Sequence, residues 1–107
     1  MTHRVTFIHT KPDDAAFYNI RNNPSRSAEL DAHADLESTL AAAEADGRIE
    51  SMSINEDGNT LTAIINYKDA DAYASVRDSA AVAEYNTALA AYNTANGITV
   101  TASEETV

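Results

Sequence analysis

The chain has 107 residues, enough for one domain with a single core, and a formal net charge of −10. Only seven Lys and Arg stand against 17 Asp and Glu, which excludes nucleic acid or an anionic membrane surface as a partner bound through a basic patch. There is no Cys, so disulfides and thiolate metal sites are excluded as well.

No apolar run approaches the roughly 20 residues of a membrane span. Met1–Ile8 runs straight into a strand pattern, without the apolar stretch of a signal peptide. These features lead to the expectation of a soluble, cytoplasmic protein. Abundant Asp, Glu, Ala and Thr, with Lys only at Lys11 and Lys68, fit a host living in salt water.

Arg4–Thr10 alternates, with Val5, Phe7 and His9 on one side and Thr6, Ile8 and Thr10 on the other, and is predicted to be a strand. Residues 11–26 are long for a bare connection. Pro12-Asp13-Asp14 suits the start of a short helix, and Phe17, Tyr18 and Ile20 give the segment something to bury. An ordered, partly helical flap is expected here. A long helix is predicted from about Ser25 to Asp46, with Leu36 and Leu40 on its apolar stripe, Leu30 and Ala43 at the margins, and Gly47 closing it.

Ile49–Asn55 and Thr60–Tyr67 read as two strands around Glu56-Asp57-Gly58-Asn59, a hairpin turn signal. A second helical pattern covers Asp69–Asn96, with Asp69 or Asp71 as its cap. Asp78-Ser79 inside it favours caps over helix interiors, which predicts a kink or a two-part helix. Asn96-Gly97 ends it. Ile98, Val100 and Ala102 then alternate as a last strand, and residues 103–107 read as a frayed tail. Tyr85-Asn86-Thr87-Ala88 recurs as Tyr92-Asn93-Thr94-Ala95, two helical turns on.

This order predicts a single α+β domain over 1–107 with the ferredoxin-like βαββαβ arrangement. It is a four-stranded antiparallel sheet of order 4-1-3-2 with two helices on one face. Both sides of the central strands carry apolar groups, Phe7 against Ile8 and Ile64 against Ile65. The face without helices is therefore expected to be covered by the 11–26 flap, a second copy of the chain or another protein.

Candidate chemistry is sparse. His9, at the end of the first strand, suits a general base or a ligand contact. A backbone hydrogen bond to its imidazole is the plainer account. His33 falls on a helix stripe, one turn from Glu37. Tyr73, Tyr85 and Tyr92 suit either core packing or a cavity wall. Lys11, Arg21 and Arg26 gather three of the basic residues into one connector and form a candidate anion site. No spacing suggests a metal site or a phosphate loop, no catalytic constellation is recognisable, and no cofactor is expected.

The strand and helix order resembles the ferredoxin-like proteins that pair as dimeric α/β barrels, a group that includes small cofactor-independent monooxygenases and ligand-binding modules. The resemblance implies that two open sheet faces enclose a cavity, here lined by Phe7 or Ile8, His9, Tyr18 and Ile65. No motif matches a catalytic residue of that group. Arg4-Val5-Thr6-Phe7, the Gly-containing hairpin, the Tyr-Asn repeats and Asn96-Gly97-Ile98-Thr99 look similar to small uncharacterised proteins of marine tailed phages. That resemblance implies an accessory or structural protein in the host cytoplasm or the virion. The leading expectation is a non-enzymatic protein, a homodimer or one with a protein partner, docking through the open sheet face. The alternative is a dimeric barrel that binds or converts a small organic molecule.

Overall fold

The alternation in Arg4–Thr10 makes a strand that hides one side and shows the other, and its neighbours follow the same rule. The computed structural model describes residues 1–18 and 34–107. The described elements are β1 (His3–Thr10), α1 (Ala34–Ala45), β2 (Ile49–Asp57), β3 (Thr60–Tyr67), α2 (Ala70–Arg77), α3 (Ala80–Asn96) and β4 (Thr99–Thr106). The strands form one sheet of order β2-β3-β1-β4, every neighbouring pair antiparallel. This is the expected 4-1-3-2 order read from the opposite edge.

The β2–β3 hairpin closes with Asp57 opposite Thr60, so the turn itself is Gly58-Asn59. Gly58 adopts φ 61°, a left-handed conformation that costs a residue without Cβ nothing. Asp69 caps α2 by accepting the Ala72 N–H at 2.8 Å. The expected break falls at Asp78-Ser79. There Ser79 occupies the N-cap position of α3, but its hydroxyl donates backwards to the Val76 carbonyl at 2.7 Å.

The described part of the long first helix begins at Ala34; its expected start at Ser25, with Ile20, Leu30 and His33, lies outside the described residues. Residues 11–18 hold no helix: Pro12-Asp13-Asp14 makes a single turn, closed by the Ala15 N–H on the Pro12 carbonyl at 3.2 Å. Phe17 and Tyr18 are buried. Phe17 packs with Leu61 and Ala63, and Tyr18 joins the main core. The described half of the connector therefore goes to the helix side of the sheet.

The tail is also corrected. β4 continues through Ser103, Glu104 and Glu105 to Thr106, paired with β1 down to His3. Every residue of β4 is exposed, so the backbone ladder rather than burial holds it. His3 Nε2 lies 2.8 Å from Glu104 Oε1, and the Val107 N–H donates to the Thr2 carbonyl at 2.9 Å.

The core lies between sheet and helices. Val5, Ile49 and Tyr67 meet Leu36, Leu40 and Ala43 of α1, Ala72 and Val76 of α2, and Tyr85 of α3. The other face of the two inner strands presents Arg4, Thr6, Ile8, Thr62, Ile64 and Asn66, and no described helix covers it.

A cavity between the sheet and the helices

Phe7 on β1 faces Ala63 on β3, and Ala63 faces Ile54 on β2. A small side chain thus sits between two large ones at the middle of the sheet. The helices are rich in Ala and do not fill the space above it. A cavity of about 290 Å³ results, near the small end of the roughly 300–1,000 Å³ typical of ligand pockets. Phe7, Ala63, Ile65 and Met52 form its floor, and Leu36, Leu40, Val82 and Leu89 form its walls. Polar groups are few. Among the described residues they are His9, Asn93, Tyr67 and Tyr85, which are buried, with Tyr73, Arg77 and Asn86.

His9 is 3 % exposed. Its ring meets the Phe17 ring edge-on, centroids 6.5 Å apart. Burial among apolar groups lowers its pKa below the usual 6.5, because the charged imidazolium loses its hydration there. The imidazole is therefore neutral at pH 7 and able to accept a proton. The backbone hydrogen bond weighed for it is not among its described contacts. Burial pushes Tyr67 up to about 12 and Tyr85 higher still, so both stay protonated hydrogen-bond donors.

Of the four sequence-predicted ligand residues, Phe7, His9 and Ile65 line this cavity together. Tyr18 stands behind the wall, its ring 5.9 Å from that of Tyr85 and 4.9 Å from that of Tyr92. Tyr92 anchors the connector instead of facing the cavity, donating its hydroxyl to the Ala16 carbonyl at 2.8 Å. Tyr73 and Tyr85 do line it. This cavity lies within one chain, on the helix side of the sheet, and Ile8 belongs to the opposite face.

The expected anion site is not assembled by what is described. Lys11 Nζ donates to Asn59 Oδ1 at 3.2 Å and lies over the Phe17 ring, while Arg21 and Arg26 lie outside the described residues. At the cavity, Arg77 stacks on the Tyr73 ring at 5.1 Å and pairs with Asp78 at 3.0 Å. No group of three or more His, Asp or Glu that would hold a metal occurs among the described residues.

Asn93 went unnoticed in the sequence. It is 6 % exposed, and its side-chain oxygen is buried without a hydrogen-bond partner among the described residues. An unpaired buried acceptor costs about 1–3 kcal/mol, so its retention asks for a reason. The signal for it was present in the Tyr-Asn-Thr-Ala repeat, whose two turns put Asn86 and Asn93 along one helix face; both line the cavity.

No family model matches the sequence, and no curated protein matches it. Solved structures do resemble it. Rv0793 from Mycobacterium tuberculosis aligns with a TM-score of 0.63 at 15 % identity, covering 100 % of this chain and 95 % of its own. SnoaB, a cofactor-independent oxygenase from Streptomyces nogalater, aligns at 0.56 and 16 %, covering 99 % and 92 %. A candidate antibiotic biosynthesis monooxygenase from Nitrosomonas europaea aligns at 0.56 and 9 %, covering 98 % and 89 %. At these identities the likeness is one of fold. It overturns the expectation of a non-enzymatic docking module, since proteins of the same architecture along almost the whole chain carry oxygenation in their names. The alternative reading, built on a small molecule, is the better supported one.

Proposed function

We propose that this chain binds a small, mostly apolar organic molecule in the cavity between sheet and helices and converts it there, with His9 accepting a proton from it. The observation that carries this reading is a buried imidazole in the wall of a mostly apolar 290 Å³ cavity. An apolar wall gives affinity by removing ligand surface from water, and an imidazole is the side chain most often used to take a proton from a bound molecule. Oxygenation, named for the Streptomyces neighbour, is the conversion tried first. A homodimer belongs to the same reading, because Ile8 and Ile64 lie on a face without a described helix; a strictly monomeric light-scattering profile would remove that part.

The test is calorimetric titration with neutral bicyclic aromatics, followed by turnover under air of those that bind. Leu89→Trp, which fills the cavity, is expected to weaken binding at least tenfold. His9→Phe is expected to retain binding and lose turnover by roughly a hundredfold or more, the usual size of a general-base effect. Failure of every such compound to bind, or binding that survives Leu89→Trp unchanged, would refute the proposal.

A further inference from the structure

We infer that Asn93 sets the ligand specificity of this cavity, its side-chain carbonyl selecting a neutral, mostly apolar molecule that carries one hydroxyl or N–H donor. The inference rests on the cavity being the binding site, as proposed above, and deepens that reading.

Three observations meet at this residue. Asn93 lines the cavity, it is more than nine-tenths buried, and its Oδ1 has no hydrogen-bond partner among the described residues. The backbone of Asn93 is already in use: its carbonyl accepts the Ile98 N–H at 2.9 Å and the Gly97 N–H that closes α3. The side chain has no part in that closure, so the helix end does not explain why an amide stands here. Of the other α3 residues that line the cavity, Val82, Leu89 and Ala90 are apolar, Tyr85 is mostly so, and Asn86 is polar.

A buried acceptor is satisfied when a ligand brings a donor to it, and is penalised again when a ligand without a donor shuts out water. The site therefore discriminates by the absence of a donor more sharply than by shape. His9 lies at the same end of the cavity, since its β4 partner is Val100, two residues beyond the Ile98 held by Asn93. A ligand donor seated on Asn93 thus brings its polar end toward the strand end that carries the imidazole. Leu36, Leu40, Val82 and Leu89 make much of the remaining wall hydrocarbon, which disfavours a strongly polar ligand.

The experiment compares indole with benzofuran, two bodies of nearly the same shape of which only indole has a donor. Calorimetric affinities are measured on the whole chain and on Asn93→Leu and Asn93→Ala. The wild type is expected to prefer indole roughly tenfold, the size of one hydrogen bond to a buried acceptor. Both variants are expected to bring that preference to about one while benzofuran affinity holds or rises. Asn93→Leu is also expected to melt no lower than the wild type, because it removes an unpaired polar group. Equal wild-type affinities for the two compounds, or an indole preference that persists in both variants, would overturn the inference while leaving the cavity as a binding site. Binding of neither compound overturns the inference, while the proposed function falls only if the wider set of bicyclic aromatics fails as well.

Discussion

The two faces of one sheet are built from alternate residues of the same strands, yet they obey different rules. Toward the helices, β1 and β3 present Val5, Phe7, His9, Leu61, Ala63, Ile65 and Tyr67; away from them, they present Arg4, Thr6, Ile8, Thr62, Ile64 and Asn66. The first face is closed by packing and keeps a cavity with buried polar groups. The second satisfies its polar groups in the open, as in the Arg4 Nε bond to Asn66 Oδ1 at 2.9 Å. One-residue spacing thus separates a packed, cavity-lining face from a more exposed one, and a slip of one position in register would exchange them.

The largest effect that sharpens this contrast is expected from Leu61, which is fully buried. Leu61→Ala should cost about 2–5 kcal/mol in urea unfolding, the transfer and cavity terms together. A cost under about 1 kcal/mol would mean the helix face is not the load of the fold.

A smaller and conditional effect comes from His9. Its folded pKa lies below the unfolded value of 6.5, so in acid the unfolded chain binds a proton that the folded chain does not. Stability is then full above about pH 6.5 and is lost as pH falls toward the folded pKa. The difference between wild type and His9→Phe, followed from pH 7.5 to 5, should show this slope in the wild type alone. A parallel pair of curves would contradict the burial argument.

The smallest effect is expected on the other face. Ile8 is 39 % exposed, and Ile8→Thr should change stability by no more than about 0.5 kcal/mol and leave cavity binding untouched. A cost like that of Leu61→Ala would erase the distinction between the faces.

Much of the frame was legible because it depends on local chemistry. The hairpin at Gly58, the alternation in Arg4–Thr10, the Asp69 cap and the Asp78-Ser79 break each act within a few residues, and each appears where the sequence places it, although the turn pair is Gly58-Asn59 rather than Asp57-Gly58. The end of β4 was not legible. Ser103-Glu104-Glu105 has no apolar alternation, and an edge strand held by its backbone ladder needs none. The cavity was half legible. Phe7, His9 and Ile65 were named from strand position, but the side of the sheet was left open between Phe7 and Ile8, because which face the connector supports depends on where Phe17 and Tyr18 pack. Asn93 escaped because an amide on a helix reads as surface until the partners of its oxygen are known.

Ala63 gives the chamber its depth, standing between Phe7 and Ile54 on an inner strand. Frame and capacity are therefore governed separately. Exchanging this one methyl for a larger group would shrink the guest without disturbing hairpin, caps or strand order. Descendants of such a scaffold can change what they admit by a single codon while the architecture around it stays the same.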